Sequence, residues 1–253
     1  MSSKVSAKLY DSVVWPVRML VLMWGIALIQ YFTPLSFIRL GVYPGEIWGL
    51  KGIFFMPLVH GDLGHILSNT APFFVLTTMV MFFYRKVAWA SFLMIYLLSG
   101  LAVWMTGFAP VLFGQSSFHV GASGVIYGLA AFVFWTGIFR RNLKSIALAL
   151  IVAFYYGSMI WGILPGQEGI SWQGHLLGGL AGVLAAFWFK DKIEEDESPK
   201  KYSWEEEEEE TSSLNEGSYF LNRDVFQKTK KERERERLEG RDSSDWFSSN
   251  TWD

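Results

Sequence analysis

Six apolar stretches, at residues 14–33, 64–83, 87–106, 120–139, 144–164 and 173–189, dominate this chain. Each is close to the ~20 residues that an α-helix needs to cross a hydrocarbon core of ~30 Å. Lipid offers no hydrogen-bond partner to an open backbone, so stretches of this length are expected to be helices. The expected fold class is an all-α membrane protein, a bundle of six transmembrane helices. The first stretch reads as a retained span. It is long, starts late and has no small-residue cleavage pattern behind it.

Charge sorts along the chain. Residues 1–190 hold 11 Lys/Arg against 4 Asp/Glu, and residues 191–253 hold 11 against 20, so the overall net of −2 averages two unlike parts. Three domains of sequence follow: a cytoplasmic N-terminal segment at 1–12, a six-helix body at 13–190 and a charged tail at 191–253. The tail carries the run Glu205 to Glu210 and an alternating stretch from Lys230 to Arg237. Blocks of like charge with little apolar content lead us to expect disorder, with a transient helix near 223–239. The bland reading of the tail is a solvated segment; a docking or degradation role for the aromatic end at Trp246, Phe247 and Trp252 is the alternative.

Basic residues also set orientation. Lys4, Lys8, Arg18, Arg85, Lys86, Arg140, Arg141, Lys144, Lys190 and Lys192 gather on one side of the expected membrane, against Arg39 and Lys51 on the other. The positive-inside rule then places both termini in the cytoplasm. With no cysteine in the chain, disulfides, a thiol nucleophile and thiolate metal sites are excluded.

The polar residues inside the apolar body carry the functional signal. Stretches two, four and six all run in the same direction across the membrane. Their first turns bring His65 and Asn69, then Ser123, then His175 to one depth. Polar groups there are costly unless paired or facing a wet cavity, so they default to a functional site. A serine hydroxyl is a weak nucleophile until a base takes its proton. His175 is the candidate base, and no Asp or Glu lies in stretches four to six as bounded above, so a Ser–His dyad is the economical arrangement. Tyr127, at i+4 from Ser123, lies on the same helix face and can pack on the imidazole. Gly124 and Gly128 match Gly178 and Gly182 in spacing, and small residues at this spacing let membrane helices approach closely. His65 and Asn69, also i and i+4, together with the Ser123 amide, can supply donors to an oxyanion. Structural readings compete: a lone histidine is more often a satisfied packing residue, and the glycines serve packing whether or not the site is catalytic.

Taken together, these residues resemble the rhomboid family of intramembrane serine proteases. The resemblance covers residues ~13–190 and rests on His60-x4-His65-x3-Asn69, on Gly121-Ala122-Ser123-Gly124 with Tyr127, and on His175 with Gly178 and Gly182. It implies a rhomboid-like six-helix bundle. Ser123 would be the nucleophile and His175 the general base and acid. Asn69, His65 and the Ser123 amide would form the oxyanion region, with Tyr127 supporting His175. His60 would tie the first loop to the second helix; His119 receives no catalytic role. Some rhomboids carry Trp-Arg in the first loop, whereas here Trp48 precedes Gly49. The implied reaction is cleavage of a transmembrane segment near its outer end, without metal or cofactor. The implied partners are a single-pass or multi-pass membrane protein substrate and membrane lipid, with no nucleic acid. A compact six-helix body suits a bacterial cytoplasmic membrane.

Rival readings are weaker. A rhomboid-like protein that binds membrane clients without cutting them would usually lack the serine or the histidine. A proton-coupled transporter would predict an internal repeat, and none is visible. A zinc protease would want His-Glu-x-x-His, and an aspartyl protease two membrane aspartates, whereas Asp62 is the only aspartate of the body, with Asp11 ahead of it.

Overall fold

The computed structural model describes residues 2–114, 117–166 and 171–194, and in the C-terminal part 229–232, 234–236 and 238. The chain divides into two compact units, Met1–Ser198 and Pro199–Asp253. In the second unit, Thr229 and Glu232 form a capping box. The Thr229 amide donates to Glu232 Oε2 at 2.8 Å, and the Glu232 amide to Thr229 Oγ1 at 3.4 Å. Apart from residues 191–194 and these C-terminal residues, the expected tail lies outside the described residues.

Six long helices build the first unit: α1 (Ser2–Phe32), α2 (Leu63–Phe83), α3 (Ala88–Met105), α4 (Ser123–Arg140), α5 (Leu143–Tyr156) and α6 (Trp172–Trp188). Among the described residues, five helical stretches are long and apolar enough to cross a membrane: Val5–Phe32, Leu63–Phe83, Ala88–Phe108, Ser123–Arg140 and Leu143–Ile163. The sixth expected span coincides with α6, which has 17 residues. No strand occurs among the described residues, only an isolated antiparallel bridge between Val42 and His119.

Local chemistry explains the boundaries. Asp62 caps α2 by accepting from the His65 amide at 2.8 Å, Asn142 caps α5 through the Ser145 amide at 2.8 Å, and Ser171 caps α6 through the Gly174 amide at 3.2 Å. Arg141 adopts φ 54°, the left-handed conformation that ends a helix, and so turns the chain from α4 into α5. Two boundaries differ from the sequence expectation. α1 begins at Ser2, and its second and third turns meet the end of α2: Asp11 pairs with Arg85 at 3.1 Å and the Lys8 ammonium lies 4.7 Å from the Phe82 ring centre. α5 gives way at Gly157 to a tighter 3₁₀ coil, Gly157–Ile163.

α4 is the central helix. It packs most extensively on α6 and also meets α5, α2 and α3. The core between them holds Ile66, Phe73, Leu76, Ile95, Leu129, Phe132 and Ala185, all essentially inaccessible. Around the outside the bundle displays Leu93, Leu101, Leu150, Phe154, Leu180 and Leu184. Such an apolar girdle is what a lipid-facing surface requires.

The link between α1 and α2 folds into short helical turns, Ile38–Leu40, Ile47–Lys51, Gly52–Phe55 and Met56–Leu58. It packs on the segment that leads into α4. In this link Trp48 stacks on Tyr43, with ring centres 4.8 Å apart. A Cβ on the buried Gly49 would run into the Tyr43 carbonyl, so no larger side chain fits at that position on this backbone.

At the opposite end of the bundle, residues 191–194 open the charged tail by composition yet pack against the core. Glu194 is 8% exposed. Its carboxylate accepts from the Lys86 amide at 2.8 Å. The Lys86 ammonium donates to the Ile193 carbonyl at 3.0 Å, and Arg140 Nη2 to the Lys192 carbonyl at 2.9 Å.

Candidate active site

Ser123 is the first residue of α4, where backbone amides have no acceptor within the helix. The approach to it turns at Gly121, whose φ of 108° suits glycine and few other residues. Space makes the same demand, because a Cβ there would stand 2.5 Å from the His65 ring. Two hydrogen bonds fix this turn from neighbouring segments. The Gly121 amide donates to the Met56 carbonyl at 2.8 Å, and the Ala122 amide to His60 Nε2 at 3.4 Å. His60 is buried, and its own carbonyl accepts from Gln30 Nε2 of α1 at 3.0 Å. This histidine therefore joins α1, the link segment and the turn before Ser123. Burial, aided by the neighbouring His65, lowers its pKa to about 4 against opposing contributions from the Leu58 backbone and Asp62.

His175 sits in the first turn of α6, which is held to α4 by backbone contact. A Cβ on Gly178 would collide with the Gly124 carbonyl oxygen, and one on Gly182 with that of Gly128. In the reverse direction, a Cβ on Gly124 would lie 3.1 Å from the Gly174 oxygen. The two helices thus touch main chain to main chain directly behind the two candidate catalytic residues.

The imidazole of His175 is gripped on two sides. Tyr127 stacks on it with ring centres 4.1 Å apart and planes 10° from parallel. His175 Nδ1 lies 2.9 Å from the Gly162 carbonyl oxygen, and the Tyr127 hydroxyl donates to the Met159 carbonyl at 2.7 Å. A carbonyl can only accept, so Nδ1 carries the proton and Nε2 is left as the basic nitrogen. Both carbonyls come from the 3₁₀ coil after α5.

A cavity of about 750 Å³ gathers the site. Its walls include His65, Asn69, Ser123, Tyr127 and His175, together with His119 and Ser171. Ser123 and His175 line the same cavity, but among the described residues they form no hydrogen bond with each other. Dyad bonds often tighten only when substrate is bound. The Asn69 side chain is 6% exposed, and its Nδ2 has no hydrogen-bond partner among the described residues. A buried amide donor without a partner costs about 1–3 kcal/mol, and on a cavity wall this one is placed to donate to a group that enters the cavity. His65 packs edge-on against His60, ring centres 5.1 Å apart.

Sequence reading left several members of this site unnamed. Gly162 and Met159 contribute backbone oxygens, which no side-chain pattern announces. The Met56 carbonyl is equally silent. Ser171 did carry a signal, since a serine just ahead of an apolar run is an N-cap pattern.

The Rhomboid domain family matches residues 44–192, more than half of the chain. Among similar proteins are Mb1372 of Mycobacterium bovis and Rv1337 of Mycobacterium tuberculosis, each 39% identical over 167 residues that cover 63% of this chain and 69% of the relative. ML1171 of Mycobacterium leprae is 33% identical over 172 residues, 66% of this chain and 67% of its own length. All three are described as uncharacterized proteins. With the helical bundle, the apolar spans and the domain match in agreement, this chain is a multi-pass membrane protein that belongs to the rhomboid family.

Proposed function

We propose that this protein is an intramembrane serine endopeptidase that cuts transmembrane segments near the outer face of the membrane. One observation carries the reading: Ser123 and His175 line a single cavity, with the imidazole oriented by the Gly162 carbonyl and the Tyr127 ring so that Nε2 is its basic nitrogen.

In the proposed reaction Ser123 Oγ attacks the scissile carbonyl carbon as its proton passes to His175 Nε2. Negative charge gathers on the former carbonyl oxygen. The Asn69 amide, the His65 ring N–H and the Ser123 backbone amide are its donors. The tetrahedral species collapses by breaking the C–N bond, and the leaving amine takes the proton from His175. Water then enters the cavity, loses a proton to His175 and attacks the acyl-enzyme ester, which releases the new carboxyl end and restores the serine. Substrate helices weakened by Gly or Pro expose the scissile carbonyl at least cost. The catalytic body comprises residues 13–190. The mycobacterial relatives support a bacterial cytoplasmic membrane as its site, and the distribution of Lys and Arg supports both termini in the cytoplasm.

The test uses the purified full-length protein and a reporter substrate with one transmembrane helix. Wild type is expected to cleave the reporter and to take up a fluorophosphonate at Ser123. Ser123→Ala and His175→Ala should each abolish cleavage while keeping the wild-type unfolding profile. Cleavage that survives in either variant rules out the dyad. A wild type that binds the reporter but neither cuts it nor takes up the probe would be a client-binding protein instead.

A further inference from the structure

The residues four positions ahead of Ser123 and of His175 are hydrogen-bonded to each other. His119 Nδ1 lies 2.7 Å from Ser171 Oγ, across 52 residues of sequence. Each of the two is also fixed to its own surroundings. The His119 backbone pairs with Val42 in both directions, its amide donating at 2.9 Å and its carbonyl accepting at 3.0 Å. On the other side, Ser171 holds the first turn of α6 twice, through Oγ to the Gly174 amide at 3.2 Å and through its carbonyl to the His175 amide at 3.1 Å.

We propose that His119 is a positioning residue: by holding Ser171 it fixes the first turn of α6 against the segment that leads into α4, and so sets the approach of His175 to Ser123. The inference rests on the reading of Ser123 and His175 as nucleophile and base. The hydrogen-bond directions support it. With the His119 proton on Nε2, Ser171 Oγ accepts from the Gly174 amide and donates its own hydrogen to His119 Nδ1. Burial lowers the pKa of His119 to about 4, so the ring is neutral and able to accept near pH 7. If the ring only filled space, a phenyl group would serve as well. The bond between them joins the backbone that carries the nucleophile to the backbone that carries the base. Neither residue touches the reacting atoms in the proposed chemistry.

The experiment is a double-mutant cycle on the full-length protein, read by kcat, KM, fluorophosphonate active-site titre and thermal unfolding. His119→Phe keeps the volume and removes the acceptor. Ser171→Ala removes the hydroxyl. His119→Asn restores a carbonyl acceptor near the position of Nδ1. Each of the first two is expected to lower kcat per titrated site by up to ~10²-fold, the scale of a reacting group displaced by about an ångström, with KM little changed. The double variant should be no worse than the poorer single one, and His119→Asn should recover most of the rate. Tm losses should likewise fail to add. Wild-type kcat in His119→Phe, additive losses in the double variant, or His119→Asn as poor as His119→Phe would each overturn the clasp. A wild type with neither cleavage nor labelling would sink the protease reading alone, because additivity of the Tm losses still decides whether the two side chains are coupled.

Discussion

Tyr127 lies flat on His175, ring centres 4.1 Å apart, while its hydroxyl reaches past the imidazole to the Met159 carbonyl. Ring and hydroxyl therefore do separable work. Tyr127→Phe keeps the stack and loses one hydrogen bond worth about 1 kcal/mol, which corresponds to a fall in kcat of about fivefold at most. Tyr127→Ala should fall much further, because the imidazole also loses its wall. Steady-state cleavage at equal active-site titre checks the ranking; equal effects of the two variants would show that the stack contributes nothing.

Asn69 is the test of the oxyanion assignment. Removal of a single donor of this kind costs ~10²–10³ in rate in well-studied hydrolases. Asn69→Ala is expected to fall at or below the lower end of that range, since the His65 ring and the Ser123 amide remain. The loss should appear in kcat with KM nearly unchanged. An unchanged kcat would remove Asn69 from the mechanism.

Two buried histidines make stability depend on pH. His60 and His119 each stand at about 4 in the folded chain against an ordinary value of 6.5. Burial is the leading cause in both, reinforced at His60 by His65. A depressed folded pKa means that the unfolded chain binds protons first as acid is added. The stability contributed by the neutral rings is complete above pH 6.5 and drains away as pH falls towards 4, by about 3 kcal/mol per histidine at most. Thermal unfolding measured from pH 7.5 to 4 should show Tm falling across that window. His119→Asn should lose part of the slope. A flat profile would mean that neither ring is buried neutral.

The C-terminal boundary can be located by truncation. A chain ending at Ser198 retains Glu194 and its bond to the Lys86 amide, and should match wild type in Tm and cleavage. A chain ending at Lys192 loses Ile193 and Glu194, and with them two of the bonds that anchor Lys86. Its Tm should drop. Equal Tm values for the two truncations would show that the Glu194 contact is idle.

Much of this arrangement was legible in the residues, for reasons that differ from place to place. The apolar stretches mark helices because membrane length and backbone satisfaction leave no other choice, and α2, α3 and α4 start within three residues of the expected positions. The grouping of His65, Asn69, Ser123 and His175 was readable because each lies in the first two turns of its helix. What escaped was backbone chemistry. The Gly162 carbonyl that orients His175 belongs to a 3₁₀ coil inside an apolar stretch, where the sequence continues to read as α-helix. Nothing in Met56 or Met159 as residue types marks their oxygens as partners of Gly121 and Tyr127. The bond between His119 and Ser171 joins two loops, and hydropathy periodicity is blind to loops. The early start of α1 was hidden because Lys8 and Asp11 look like solvated charges until Phe82 and Arg85 are placed beside them.

The glycine seam between α4 and α6 has a mechanical consequence. Where carbonyl oxygens meet glycine Cα atoms the joint contains no rotamers, so at those points it cannot yield by small adjustments in the way that interlocked leucines do. The spacing of the hydroxyl-bearing and imidazole-bearing helices is thereby gauged by covalent geometry. The lipid-exposed faces of the same helices can exchange one apolar side chain for another without disturbing that gauge.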